Sequence, residues 1–251
     1  MLTNNKQKLI VSLQQKKYRN EHQLFVIEGV KIISEFILST NLITEVFISH
    51  ENQLSAEVMS AAAAKGIEIA LADEKSIQRI STQSTSQHCI ALAKIFAHQT
   101  AIESLKNEVS IVLDQIQDPG NLGTIIRTAD WFGIKNIYCS VDTVDCYNSK
   151  VVQSSMGSLC NVNLHYVSLQ DLLSQTKLLG IKVFGTLLNG NALKETSIEK
   201  GSMLVFGNEA NGISAEIKEY IDQAITISKS ASTHAESLNV ATTVAIVLAS
   251  I

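Results

Sequence analysis

The sequence predicts an α/β protein of two domains. Three observations carry that expectation. Short apolar strands alternate with amphipathic helices along the chain, and a polar stretch without clear period interrupts the alternation at residues 98–108. The 251 residues, 45 % hydrophobic and 18 % charged, also suffice for two cores of ordinary size. The expected boundaries are 1–97 for a first domain, 98–108 for a linker and 109–251 for a second.

In the first domain, residues 5–17 read as one helix with Leu9, Ile10 and Leu13 on one face. Strand 24–27, helix 30–38 and strand 43–48 follow. An alanine-rich helix at 54–65 is closed by Gly66, a residue type favoured just past a helix end. Strand 67–71, helix 74–80 and strand 90–95 complete this half. In the second domain, strand 110–113 leads through Asp118-Pro119-Gly120-Asn121 to helix 122–132. Strand 135–139, helix 149–156, strand 162–166 and helix 169–179 come next. Strands 182–186, 203–206 and 224–227 and an apolar helix at 238–250 close the chain. Repeated βα units predict a mostly parallel sheet covered on both faces.

Composition excludes several classes. No apolar run reaches the ~18 residues of a membrane span, and the polar start MLTNNKQKLIVSLQQKKYR lacks the apolar core of a secretory signal. A cytoplasmic protein is expected. Cys89, Cys139, Cys146 and Cys160 form no CxxC pair and the six histidines are scattered, so reduced thiols and no metal site are expected. Net charge is −4, but unevenly spread: residues 1–31 carry six basic side chains against two acidic ones, a positive arm on an acidic body.

Three loops at strand ends hold unusual chemistry, and ligands of parallel sheets gather at carboxyl ends. In 118–127, Pro119-Gly120 suits a type II turn, Asn121 stands where an N-cap belongs, and Arg127 follows on the helix. In 206–214, Gly207 and Gly212 have the spacing of a phosphate loop, yet Ile213 stands where its lysine must be; nucleotide hydrolysis is rejected. In 228–239, Ser237 suits an N-cap, while His234, Glu236 and Ser237 lie too close in sequence for a hydrolase triad.

Together and in this order, LDQIQDPGNLGTIIRTADWFGI (113–134), VFGNEANGIS (205–214) and ESLNVATTVAIVLAS (236–250) resemble the motifs of the SpoU/TrmH family of RNA ribose 2′-O-methyltransferases. KVVQSSMGSLCNVNLHY (150–166) resembles the family pattern between them. KLIVSLQQKKYRNEHQLFVIEG (8–29) is similar to the ribosomal-protein-like substrate-binding domain that precedes the catalytic one in many members. The resemblance implies a carboxy-terminal trefoil-knotted α/β domain, a homodimer, S-adenosylmethionine as cofactor and RNA, above all ribosomal RNA, as substrate. It also implies site roles. Arg127 is the central catalytic residue, Asn121 orders it, and Glu209, Ser237 and Asn239 support the site. The cofactor is held near Thr186, Leu187, Gly207, Ile227 and Leu238. Lys16, Lys17, Tyr18 and Arg19 are the expected RNA contacts. A transfer-RNA substrate and a non-catalytic assembly factor on the same fold stay open as alternatives. The chain departs from the family pattern at Ile227-Ser228, where Ile-Pro is usual, and in a longer third loop.

Overall fold

The computed structural model describes residues 2–83, 88–96, 102–230, 232 and 234–251. Residues 98–101 of the expected linker, with Ala231 and Thr233 of the third loop, lie outside them. The chain divides into two compact units. Met1–Ala97 and Asp145–Cys160 form the first; His98–Val144 and Asn161–Ile251 form the second. The units are thus not collinear with the two sequence halves, because 145–160 clusters with the first.

The first unit begins with α1 (Asn4–Ser12), α2 (Lys16–His22), β1 (Leu24–Glu28), α3 (Val30–Ser39) and β2 (Ile43–Ile48). It continues through α4 (Ala56–Ala64), β3 (Glu68–Leu71), α5 (Glu74–Ile80) and β4 (Cys89–Lys94). Its sheet runs β1-β4-β2-β3, with β4 antiparallel to both neighbours and β2 parallel to β3. Phe25, Ile27 and Val46 are buried on the sheet face that Ile33, Phe36 and Ile37 of α3 cover, while Leu92 packs on the other face with Ile10, Leu13 and Ile77. Each aliphatic or aromatic side chain so placed contributes about 1.5–3 kcal/mol.

The single helix expected over 5–17 is two helices. Gln15 is extended (φ −95°, ψ 133°) and starts α2. The cause is Arg19, only 3 % exposed. Its Nη1 donates to the carbonyls of Leu13 (2.9 Å) and Gln14 (2.8 Å), which continuation of α1 would have needed for its own ladder. Its Nε and Nη2 donate to Asp145 Oδ2 at 3.0 and 2.6 Å, while Asp145 Oδ1 accepts the Tyr147 N–H. Tyr147 then packs its ring 4.7 Å from Phe25 and 5.5 Å from Phe96. Burial pushes its phenol far above the ordinary range.

The second unit holds β5 (Ser110–Leu113), α6 (Pro119–Trp131) and β6 (Asn136–Cys139); α7 (Ser149–Ser154) belongs to the first. Then follow β7 (Asn163–Tyr166), α8 (Leu169–Leu178), β8 (Lys182–Ala192), β9 (Ser202–Phe206), the short α9 (Ala215–Lys218), β10 (Gln223–Thr226) and α10 (Val240–Leu248). All five strand pairings are parallel, in the order β10-β8-β9-β5-β6-β7. β5, β6 and β9 are almost wholly apolar, as burial on both faces demands. β8 outruns its expected end at Thr186 because β10 pairs with it twice, at Phe184–Gly185 and, past an irregularity, at Asn191–Ala192.

No helix among the described residues is long and apolar enough to cross a membrane. None of the four cysteines is in a disulfide, and burial pushes the Cys89 thiol up to about 12, so it carries no reactive thiolate. Arg19→Ala leaves the Asp145 carboxylate without its cation and should lower the stability of the first unit by about 3 kcal/mol. Arg19→Lys should rescue little, because an ammonium lacks the fork that reaches three acceptors. Urea titration followed by far-UV circular dichroism checks both.

Candidate active site

Parallel strands carry their following loops to one edge of the sheet. The sheet grows from β5 outward in both directions, β6 on one side and β9 on the other, so the edge beside β5 and β9 is a topological switch point. The loops after β5, β9 and β10 are the three singled out by sequence.

The first loop differs from its expected form. Pro119 and Gly120 are the first turn of α6, not a type II turn, and the N-cap is Asp118 rather than Asn121. The Asp118 carboxylate accepts the Asn121 N–H at 2.8 Å. Proline suits this place, since its missing N–H would be unpaired there and its φ is already helical. Asn121 therefore keeps its side chain free for other work.

The second loop turns back on itself. Asn208 and Gly212 exchange backbone hydrogen bonds at 3.1 and 3.0 Å, and Asn208 Oδ1 accepts from the N–H groups of Ala210 and Asn211. Gly207 is required by close approach, for a Cβ there would lie 2.0 Å from the Gly212 carbonyl carbon. The loop is pinned to β5 by Asp114, which is 3 % exposed. Asp114 N–H donates to the Phe206 carbonyl (2.9 Å), and its Oδ2 accepts the Ser214 N–H (2.7 Å).

The third loop delivers Asn239 as N-cap of α10, displacing Ser237 from that expected role. Asn239 Oδ1 accepts from Ala241 N (2.9 Å) and Thr242 N (3.3 Å). Packing of α10 on α6 then brings Asn239 to Asn121. Asn239 Nδ2 donates to Asn121 Oδ1 at 2.9 Å, and Asn121 Nδ2 donates to Glu209 Oε1. Three loops far apart in sequence are joined through two amides and a carboxylate.

Arg127 lies two turns into α6, about 9 Å along the helix from Asn121. It is exposed, with no hydrogen bond or ion pair to a described residue; Asn121 does not hold it directly. Ser237 and Leu238 are exposed in the third loop. Thr186 donates to the Val205 carbonyl (3.1 Å), tying β8 to β9, while Leu187 packs half-buried on the core and Ile227 is half-buried after β10. In the first unit, Lys16 and Lys17 are exposed and Lys17 Nζ stands 5.7 Å from the centre of the half-buried Tyr18 ring. Arg19 is withdrawn from the expected RNA contacts, since its donors are spent inside the fold.

Two residues escaped the sequence. Asp118 hid behind the more familiar Asn121, although an acid before proline is a fair N-cap signal. Asp114 had one signal, an acid directly after the apolar run SIVL.

Residues 108–249 match the SpoU rRNA Methylase family, and residues 4–91 match the MRM3-like substrate binding domain. The chain is similar over its whole length to a Porphyromonas gingivalis protein of the TrmH family of RNA methyltransferases. Identity is 34 %, with 100 % of this chain and 98 % of that one covered and a TM-score of 0.87. The AdoMet-bound rRNA methyltransferase of Sinorhizobium meliloti is 27 % identical over 99 % of this chain and 94 % of its own, with a TM-score of 0.85. The 23S rRNA (guanosine(2553)-2′-O)-methyltransferase RlmP of Bacillus subtilis is 29 % identical over 98 % of this chain and 95 % of that protein. A match that runs through all three linked loops, on a fold shared from end to end, makes this chain a member of the SpoU rRNA methylase family.

Proposed function

We propose that the chain transfers a methyl group from S-adenosylmethionine to a ribose 2′-hydroxyl of ribosomal RNA. One observation carries this: Asn239, Asn121 and Glu209 join three loops at the switch point of a parallel sheet, on the helix that bears a free Arg127. The donor set fits the cofactor. Backbone at Gly207, Ile227 and Leu238 offers directional polar groups, while Leu187, Ile227 and Leu238 offer apolar surface to a flat purine, with Thr186 beside them. When bound, the cofactor supplies a methyl already activated on a positive sulfur.

The chain's own residues must orient the sugar hydroxyl and favour passage of its proton to water or another acceptor as the oxygen takes the methyl. Orientation can be worth on the order of 7–11 kcal/mol in the best intramolecular cases. Arg127 acts through its charge and not as a base, since a guanidinium in a protein does not give up its proton. It grips an RNA phosphate with its fork and stabilises the oxygen charge that develops. Asn121 and Asn239 keep the loops at fixed spacing, and Glu209 presents its carboxylate beside them. Ser237 supports the exposed third loop.

We also take the second unit to be a trefoil knot and the working form to be a homodimer in the cytoplasm. The chain's path supports the knot: β10 pairs outside β8, after which α10 returns to α6. Trp131 (85 % exposed) and Phe132 at the end of α6, with Ile246 on α10, give the apolar surface that a partner copy would cover. Bacterial relatives that methylate ribosomal RNA support the location. In the first unit, Lys16 and Lys17 hold phosphates and Tyr18 stacks on a base.

Methyl transfer to total RNA, with mapping of the modified riboses, tests the function; RNA binding without transfer would favour an assembly factor instead. Arg127→Lys should lower turnover by about 100-fold, because a point charge cannot replace the fork. Near-normal turnover would remove the fork from the mechanism. Asn121→Ala should cost no more than about 1 kcal/mol of stability, its hydrogen bonds being exposed, yet slow turnover at least ten-fold. Denaturant titration beside single-turnover kinetics separates the two effects. Reversing Lys16 and Lys17 to Glu should weaken RNA binding and lower the steepness of its salt dependence by about 1.5 in log–log slope. Calorimetry should find cofactor affinity unchanged in that variant.

A further inference from the structure

Asp114 is a buried carboxylate with no described residue in ion-pair contact, an arrangement that costs free energy unless hydrogen bonds offset it. Its bonds have a specific pattern. The backbone N–H takes the carbonyl of Phe206, the last residue of β9, and the side chain takes the N–H of Ser214, the first residue beyond the loop. One residue therefore clamps both ends of 207–213. The next residue, Gln115, adopts φ +59°, uncommon outside glycine, with its N–H held at 2.9 Å by Ser140 Oγ. The chain bends away at once, leaving Asp114 directly after the last residue of β5. Between the clamped ends the loop folds tightly over Gly207 and projects Glu209 toward Asn121.

We propose that Asp114 is a positioning residue for the methyl donor: by fixing the spacing of Phe206 and Ser214, it holds the Gly207 backbone in the conformation that receives the adenosyl group. This rests on the function proposed above. Without the clamp the loop samples other conformations, and apparent affinity falls by the fraction of time the competent one is populated. Donor at saturation pulls the loop back, so the bound complex reacts at nearly its normal rate.

The test is steady-state kinetics of the full chain with S-adenosylmethionine and RNA each varied in turn, beside calorimetric titration of S-adenosylmethionine. Asp114→Ala should raise KM for the donor about ten-fold, the loss of one buried hydrogen bond. The kcat at saturating donor should change less than about three-fold, and KM for RNA should be unaltered. Asp114→Asn retains a carbonyl acceptor for Ser214 and should restore donor KM to within about three-fold of the parent. Ser214→Pro, at a φ of −61° that proline accepts, deletes the donor N–H and should reproduce the alanine variant if that one does not fold. A purely structural role would reduce the active fraction and hence kcat, with donor KM unmoved; that result overturns the proposal. So does Asp114→Asn behaving as badly as the N–H deletion. A parent chain that binds no S-adenosylmethionine overturns the functional reading and this role with it, whereas parent binding with unchanged variant KM removes Asp114 alone.

Discussion

A carboxylate can accept hydrogen bonds but not donate them, and the geometry of the site follows from that asymmetry. Glu209 Oε1 must face the amide nitrogen of Asn121, which turns Asn121 Oδ1 toward Asn239. Asn239 must then offer its own nitrogen, leaving Oδ1 for the free N–H groups at the start of α10. One acidic side chain in the second loop thus fixes two amide orientations in succession and reaches a helix start in the third. The two bonds that link the loops are exposed and each is worth about 1 kcal/mol or less. The relay therefore sets orientation, while buried groups supply the strength: Asp114 at the loop's base and the packing of α6 on α10.

Arg127 stands apart from that relay. Among catalytic groups a guanidinium is a poor base and a good electrostatic partner. Its exposure on α6, without an ion pair to any described residue, fits the second use. A cation already paired within the protein would have to break that pair before meeting a phosphate. Its helix is rigid, capped by Asp118 and buried along Leu122, Ile125, Ile126 and Ala129. The charge is therefore carried by a packed helix.

The strands and most helices were legible because their signals are local. Strands 43–48 and 110–113 and helix 74–80 match their expected bounds, each an apolar pattern between polar or turn residues. Helix starts were less legible. Asp118 and Asn121 are both good capping residues, as are Ser237 and Asn239, and only the fold decides which carbonyl and side chain meet the free N–H groups. The extension of β8 through NGNA and the four-residue α9 carry no periodic signal, since tertiary pairing with β10 and a single turn define them. The three loops that the side-chain relay joins, which lie within the stretch 108–249 that matches the family, were legible through motif order. Asp114 was not, since its partners Phe206 and Ser214 are identified only by pairing of β5 with β9.

Arg19 shows where charge patterns mislead. In sequence it continues Lys16 and Lys17 and reads as one more cation on a solvated arm. In the fold its partner Asp145 stands 126 residues away, and both oxygens of that carboxylate are occupied inside the first unit. The same segment supplies Tyr147 between Phe25 and Phe96, with Val151, Val152 and Leu159 buried beyond it. Residues 145–160 therefore depend for their burial on residues that precede position 98. The catalytic half is not a module that a cut near the linker would release intact, since such a cut would strip Asp145 of its cation and Tyr147 of its ring partners. The first unit is thus assembled from two separate stretches of chain, 1–97 and 145–160, and neither stretch completes its core without the other.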